Sequence, residues 1–140
     1  MLKFLNMNRE NRNRKVQVIV MAESEILLLK LSEDRGGFWQ NVTGGVENDE
    51  SFLRAAEREL FEETGIEKTP SETPFEFTFL SRWNQNVIEK IFVCELEKKC
   101  TPNLSEEHQA YKWIPLKNVK VEDYHYATNF LAVEWLQKTC

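Results

Sequence analysis

Between the glycine pair Gly44-Gly45 and the single Gly65 lies the segment that constrains this chain most, "VENDESFLRAAERELFEET". At about 100° per residue, Leu53, Ala56 and Leu60 share one face, an apolar stripe that must dock on a sheet. Asp49 or Ser51 is the candidate N-cap and Gly65 the C′ residue, which predicts a helix over residues 51–64. That helix crowds Glu59, Glu62 and Glu63 into its last turn and a half. Helix carbonyls leave that end partly negative, so each carboxylate there costs roughly 0.3–1 kcal/mol, before the repulsion of i, i+3 and i, i+4 neighbours. Glu63 falls beside the stripe, where a desolvated carboxylate needs a partner. Ala55 and Ala56 lie one turn earlier, where the glutamates lean, and predict an open floor over the acidic cluster. Three carboxylates facing a clear space form a hard-oxygen site, of the kind Mg²⁺ prefers while it keeps waters for phosphate oxygens. A solvated acidic face is the competing reading of the charges alone.

The flanking segments supply a sheet. "VQVIVMA" (16–22) and "EILLLKL" (25–31) read as two strands joined by a short turn, the second apolar enough for burial on both faces. "SEDRGG" (32–37) is a loop, and "FWQNVTGG" (38–45) is extended up to the Gly-Gly break. "PFEFTFLSRW" (74–83) and "NVIEKIFVCELE" (86–97) alternate as a strand pair, "QAYKWIPL" (109–116) adds a strand, and residues 127–138 close the chain as a helix. Strands on both sides of one helix, with a second helix at the end, predict an α/β sandwich around a mixed sheet. Residues 1–14 are read as a polar lead-in and 15–140 as a single domain.

Composition bears on the partners. A formal net charge of −5 leaves no electrostatic footprint for a nucleic-acid backbone, so any anionic phosphate must meet local positive charge. No apolar run approaches the roughly 20 residues of a membrane span. The first residues lack the h-region and cleavage site of a signal peptide. Cys94, Cys100 and Cys140 show no metal-ligand spacing, which points to reduced thiols in a cytoplasmic protein.

Spacing decides between the two readings of the glutamates. Gly44, five residues, Glu50, seven residues, Arg58-Glu59-Leu60, one residue, Glu62-Glu63, one residue, Gly65-Ile66 resembles the Nudix box at every defining position. Seven such identities at ordinary residue usage would coincide with odds of order 10⁻⁸ per start position. The resemblance implies a Nudix-type α/β/α sandwich around a mixed sheet. It implies hydrolysis of a nucleoside diphosphate linked to a group X, with Mg²⁺, or Mn²⁺ as the alternative. Carried over residue by residue, Glu59 and Glu63 match metal ligands, and Glu62 a third ligand or water-orienting carboxylate. Arg58 matches the box arginine that holds the glutamates, Glu50 supports it, and the backbone at Thr43, Gly44 and Gly45 approaches metal and substrate.

Downstream, "EHQAYKW" (107–113) resembles a segment of two branches of that family, the dihydroneopterin triphosphate (dATP) pyrophosphatases and the diadenosine tetraphosphate hydrolases. By that match Glu107 is an extra carboxylate, as metal ligand or general base, and competes with Glu62 for the base role. Glu106 reads as solvated. "FWQNVTGGVE" (38–47) resembles the first branch, and Thr43 stands where the second typically carries lysine. An arginine that the first branch places after the second strand is missing, and Lys30 or Arg35 is the expected substitute. Trp39, Trp83, Tyr124 and Tyr126 are candidates to stack on a base or pterin ring. The expected substrate is a pterin or purine nucleoside triphosphate that loses pyrophosphate. Cleavage of diadenosine polyphosphates is the alternative, and a non-catalytic nucleotide-binding module a third reading.

Overall fold

The computed structural model describes residues 13–81 and 83–139. Most of the expected lead-in, residues 1–12, lies outside them, and Arg14 already belongs to the first strand. Strands β1 (Arg14–Ala22) and β2 (Glu25–Leu31) turn at Glu23 and Ser24, whose φ values of 52° and 65° suit a tight hairpin turn. The hairpin then splays. Its strands pair only at Met21–Ile26 and Ala22–Glu25. The segment β3 (Trp39–Gln40) and β4 (Val42–Gly45) enters the opening, β3 pairing with β2 and β4 with β1. This wedge carries Thr43, Gly44 and Gly45 into the middle of the sheet.

Strands β5 (Ser71–Leu80), β6 (Asn86–Leu96) and β7 (His108–Pro115) complete a seven-stranded mixed sheet, with β6 parallel to β1 and β7 antiparallel to β2. β5 starts three residues before the expected Pro74 and stops at Leu80. Its register slips between Glu72 and Glu76, across the proline that cannot donate to the ladder. Its end is set by the turn in which the Ser81 amide donates to the Gln85 carbonyl, 2.9 Å.

Helix α1 (Phe52–Thr64) covers one face of the sheet and α2 (Ala127–Thr139) the other. The alternation of β2 feeds both layers: Leu27 and Leu29 join the α1 side, Ile26 and Leu28 the α2 side, and all four are buried. The stripe of α1 is rotated from the expected one. Ala55, Ala56 and Leu60 are fully buried with Phe52 packed beside them, whereas Leu53 is 39% exposed. The alanines are therefore core contacts under β4 and not an open floor. Ser51 is the cap, its Oγ accepting from the Arg54 amide at 3.1 Å, and Gly65 ends the helix at φ 78°.

On the opposite face a buried polar chain fixes α2. The Asn41 amide donates to Asn129 Oδ1 at 2.8 Å, Asn41 Nδ2 to Gln17 Oε1 at 2.6 Å, and Tyr124 Oη to Asn41 Oδ1 at 2.7 Å. Gln17 Nε2 ends the chain on Glu89 Oε1 at 3.4 Å. Such satisfied networks specify one docking geometry. Among the described residues, no helix is long and apolar enough to cross a membrane.

Candidate active site

Arg58 organises the acidic end of α1. Its Nε and Nη2 grip Glu50 at 2.8 and 3.0 Å, its Nη1 reaches Glu59 at 2.8 Å and Glu62 at 3.3 Å, and Nη2 also donates to the Gly45 carbonyl at 2.9 Å. One guanidinium thus ties the helix to β4 and to the loop before the helix, through charge-assisted bonds that are about twice as strong as neutral ones. The Glu50 hydrogen bond raises the guanidinium pKa, and the same bond lowers that of Glu50.

Glu63 sits deeper than its neighbours, 3% exposed. Burial pushes its carboxyl well above the usual range, and a hydrogen bond and charge from Glu59 and the charge of Glu107 add to the rise, against a backbone bond from Thr43. Glu59 is raised mainly by burial and is drawn back by Glu63 and Arg58. Burial and the contact with Glu59 thus both favour the protonated form of Glu63. Gly44 leaves the space for this pair. The open floor under the cluster comes from the missing Cβ of β4.

The Glu107 loop closes the other side. Ser105 Oγ accepts from the Glu107 amide at 3.3 Å and lies 3.4 Å from His108 Nδ1. His108 is buried, which lowers its pKa, and its Nε2 lies 3.3 Å from Gln40 Nε2 and 3.8 Å from Glu63 Oε1. Arg35 leans toward Glu107, Nη1 to Oε1 3.9 Å. The resulting cavity, about 520 Å³, is lined by Arg35, Thr43, Gly44, Gly45, Glu59, Glu62, Glu63, Ser105, Glu106 and Glu107.

The structure therefore brings together most of the residues expected from the sequence and separates two. Lys30 and Trp39 face each other across β2 and β3 and do not line this cavity. Trp39 packs on the α2 layer with the Lys112 ammonium 4.3 Å over its ring, and Lys30 lies 4.0 Å from Glu33. Of the two cations proposed to replace the missing arginine, only Arg35 reaches the acidic cavity. Tyr124 is a buried hydrogen-bonding residue and not an open stacking surface. His125 stacks on Phe38 at 3.7 Å, with Tyr126 edge-on to both. Glu106, read as solvated, lines the cavity mouth. Ser105 was missed by the sequence reading; a serine three residues before a histidine is its only local signal.

The donor set suits a hard divalent cation. Glu63 Oε1 is buried and has no hydrogen-bond partner, an arrangement that costs about 1–3 kcal/mol or more unless a further group satisfies it. As the side chains lie, no three His, Cys, Asp or Glu groups among the described residues cage a single ion. Arg58 and Arg35 hold carboxylates that a cation would compete for.

Comparison with known proteins agrees with this geometry. A family model described as NUDIX domain matches residues 11–136. The chain is 32% identical over 128 residues to the dihydroneopterin triphosphate diphosphatase of Haemophilus influenzae, covering 81% of this chain and 80% of that protein. Among solved structures, the E. coli dihydroneopterin triphosphate pyrophosphohydrolase superposes with a TM-score of 0.80 at 25% identity, over 93% of this chain and 98% of that one. A C. elegans Ap4A hydrolase gives 0.74 at 21% identity over 91% and 96%, a likeness of fold.

Proposed function

The chain belongs to the Nudix family and hydrolyses phosphoric anhydride bonds, and we propose that it releases pyrophosphate from a pterin or purine nucleoside triphosphate. Enzymes of this family generally use divalent metal ions; we take the ion to be Mg²⁺, with Mn²⁺ as a substitute. The observation that carries the reading is the buried Glu63 Oε1, without a hydrogen-bond partner, on a residue that lines one cavity with Glu59, Glu62, Glu106 and Glu107. Glu59 and Glu63 would hold the cation, with Glu62 and Glu107 completing the set. The chemistry supplied at those carboxylates, when the ion is held, would be neutralisation of charge on the phosphate oxygens.

The chain's own groups do the rest. Arg58 fixes the carboxylates against β4 and does not need to touch substrate. Arg35, the only cationic side chain among the described residues that line the cavity, binds the phosphate chain. Glu107 takes the proton of the attacking water; Glu62 shares Arg58 and orients that water. The Thr43–Gly45 backbone approaches the phosphates. The 32% identity supports the triphosphate reading over dinucleotide cleavage, as does Thr43 in place of a lysine. Residues 15–140 act as one catalytic domain, and the free thiols of Cys94 and Cys100 suit a cytoplasmic home.

The deciding experiment is a panel of pterin and nucleoside triphosphates and dinucleoside polyphosphates with Mg²⁺, products resolved by anion exchange. Pyrophosphate plus a monophosphate is the expected outcome. Faster release of ATP and AMP from diadenosine tetraphosphate would move the chain to the dinucleotide branch. No turnover of any of them would leave a binding module.

A further inference from the structure

Arg35 enters the acidic cavity without a firm side-chain anchor. Its side chain is 55% exposed, and its contact with Glu107 is 3.9 Å, longer than a hydrogen bond. The arginine is aimed instead by the turn it stands on, Glu33–Arg35, closed by Gly36 at φ 113°. One side of that turn is tied to the Glu107 loop and to β7. The Ser32 amide donates to the Glu107 carbonyl at 2.8 Å, and Gln109 Nε2 to Glu33 Oε1 at 2.9 Å and to the Leu31 carbonyl at 2.8 Å.

The other side is held by rings. The Phe38 ring lies against Gly36, where a Cβ would stand 2.4 Å from Phe38 Cε2 and 2.8 Å from Cδ2. His125 covers the same ring, with centroids 3.7 Å apart and planes within 9°, and Tyr126 meets the pair edge-on at 6.5 and 4.7 Å. His125 and Tyr126 belong to the segment that leads into α2, directly after Tyr124, whose hydroxyl is bonded to Asn41 in the buried polar chain. A fixed layer of the fold thus reaches the Arg35 turn through one ring stack, and neither Phe38 nor His125 lines the acidic cavity. Aligned rings attract beyond the area they bury, so an exposed histidine can hold a turn in this way.

Given the reading of Arg35 as the cation that meets the phosphate chain, we propose that His125 is a positioning residue for that arginine, acting through Phe38. It presses the Phe38 ring onto Gly36 and so fixes the direction in which the guanidinium leaves the turn. The role calls for a flat ring and not for a charge, and His125 itself touches no substrate atom. A small side chain at residue 125 would leave the turn held only on its Glu107 side.

The test measures binding of inorganic tripolyphosphate, a phosphate chain without a ring, by calorimetric titration with Ca²⁺ present. Arg35→Ala should weaken binding about tenfold. His125→Ala should weaken it about fivefold, the size of one aromatic stack, and His125→Phe should keep the wild-type value. In the Arg35→Ala background, His125→Ala should add nothing. An Arg35→Ala protein that binds like wild type would overturn the phosphate role of Arg35 and this inference with it. If Arg35→Ala weakens binding and His125→Ala does not, or if His125→Ala costs as much without Arg35, the stack positions nothing and only this inference fails. A loss seen with a pterin or nucleoside triphosphate but not with tripolyphosphate would also overturn it, for the rings would then grip the ligand's own ring.

Discussion

Gly44 and the Glu59 carboxylate share one volume: a Cβ built on Gly44 would stand 2.1 Å from Glu59 Cδ and 2.3 and 2.5 Å from its two oxygens. The clash would fall on the far end of a flexible side chain and not on backbone. Gly44 is in a strand without positive φ, so no conformational strain is involved. Substitution should displace the carboxylate and spare the fold. Gly44→Ala is expected to lower kcat/KM about 100-fold, the usual result of a misplacement near 1 Å, with a thermal midpoint within a few degrees of wild type. Turnover near wild type would show that the position of Glu59 is not critical.

The two bonds between Arg58 and Glu50 form a planar fork that a lysine cannot reproduce. Arg58→Lys should therefore destabilise the protein by about 1–3 kcal/mol, the range for hydrogen bonds to charged groups. A double-mutant cycle with Glu50→Gln should show coupling of about 1 kcal/mol or more by denaturant unfolding. Additive losses would reduce the fork to a solvated contact.

How far the sequence carried these residues can be seen element by element. The box spacing placed Glu59, Glu62, Glu63 and Arg58 on one helix end, and spacing along a helix survives folding unchanged. Strands β1 and β2 were equally readable because their apolar runs mark strands buried on both faces, and β6 because its residues alternate. What the spacing could not give was rotation and insertion. Leu53 looked like a core residue because its period fits, yet the sheet meets the helix one position round, at Ala55 and Ala56. The splayed hairpin that admits β3 and β4 depends on pairing between distant segments, so nothing local announced that Lys30 and Trp39 would face away from the carboxylates. His108 and Gln40, 68 residues apart, meet for the same reason.

Glu63 combines burial with an unpartnered oxygen, and the two together predict a strong response to metal. Adding Mn²⁺ to the wild type should raise its thermal midpoint, since a ligand bound only to the native state stabilises it. Glu63→Gln should lose most of that rise, because a neutral amide is a weak ligand for a hard cation. With Mg²⁺, its turnover should fall about 1,000-fold, the loss of several kcal/mol of charge stabilisation. An unchanged metal response would remove Glu63 from the ligand set.

Glu89 is buried, accepts from Gln17 in the polar chain under α2, and does not line the acidic cavity. Burial raises its pKa, which Lys15 and the Gln17 hydrogen bond only partly offset. A carboxyl whose folded pKa exceeds its unfolded value binds more protons when folded, so stability falls as pH rises from about 4.5 through the folded pKa. Glu89→Gln removes this slope. Its thermal midpoint should exceed that of wild type at pH 8 and converge with it near pH 4. A midpoint lower than wild type at pH 8 would mean that the ionised carboxylate is worth more to Gln17 and Lys15 than its burial costs.

The last question is which glutamate takes the proton. Glu62 and Glu107 are comparably exposed, with side chains 53% and 49% accessible, so burial does not separate them. Their partners do. Glu62 lies 3.3 Å from an Arg58 nitrogen that also serves Glu59, on the helix end proposed to hold the metal. Glu107 rides on a separate loop fixed by Ser105, with Arg35 near its carboxylate at 3.9 Å, a contact loose enough for a phosphate to draw the arginine away. Glu107→Gln should therefore cut kcat by 10²- to 10⁴-fold and leave nucleotide affinity within about threefold of wild type, because the amide keeps the size of the carboxylate. Glu62→Gln should cost kcat less than Glu107→Gln does. If instead Glu62→Gln takes the larger loss, the proton goes to the helix, and Glu107 is left with metal and loop placement.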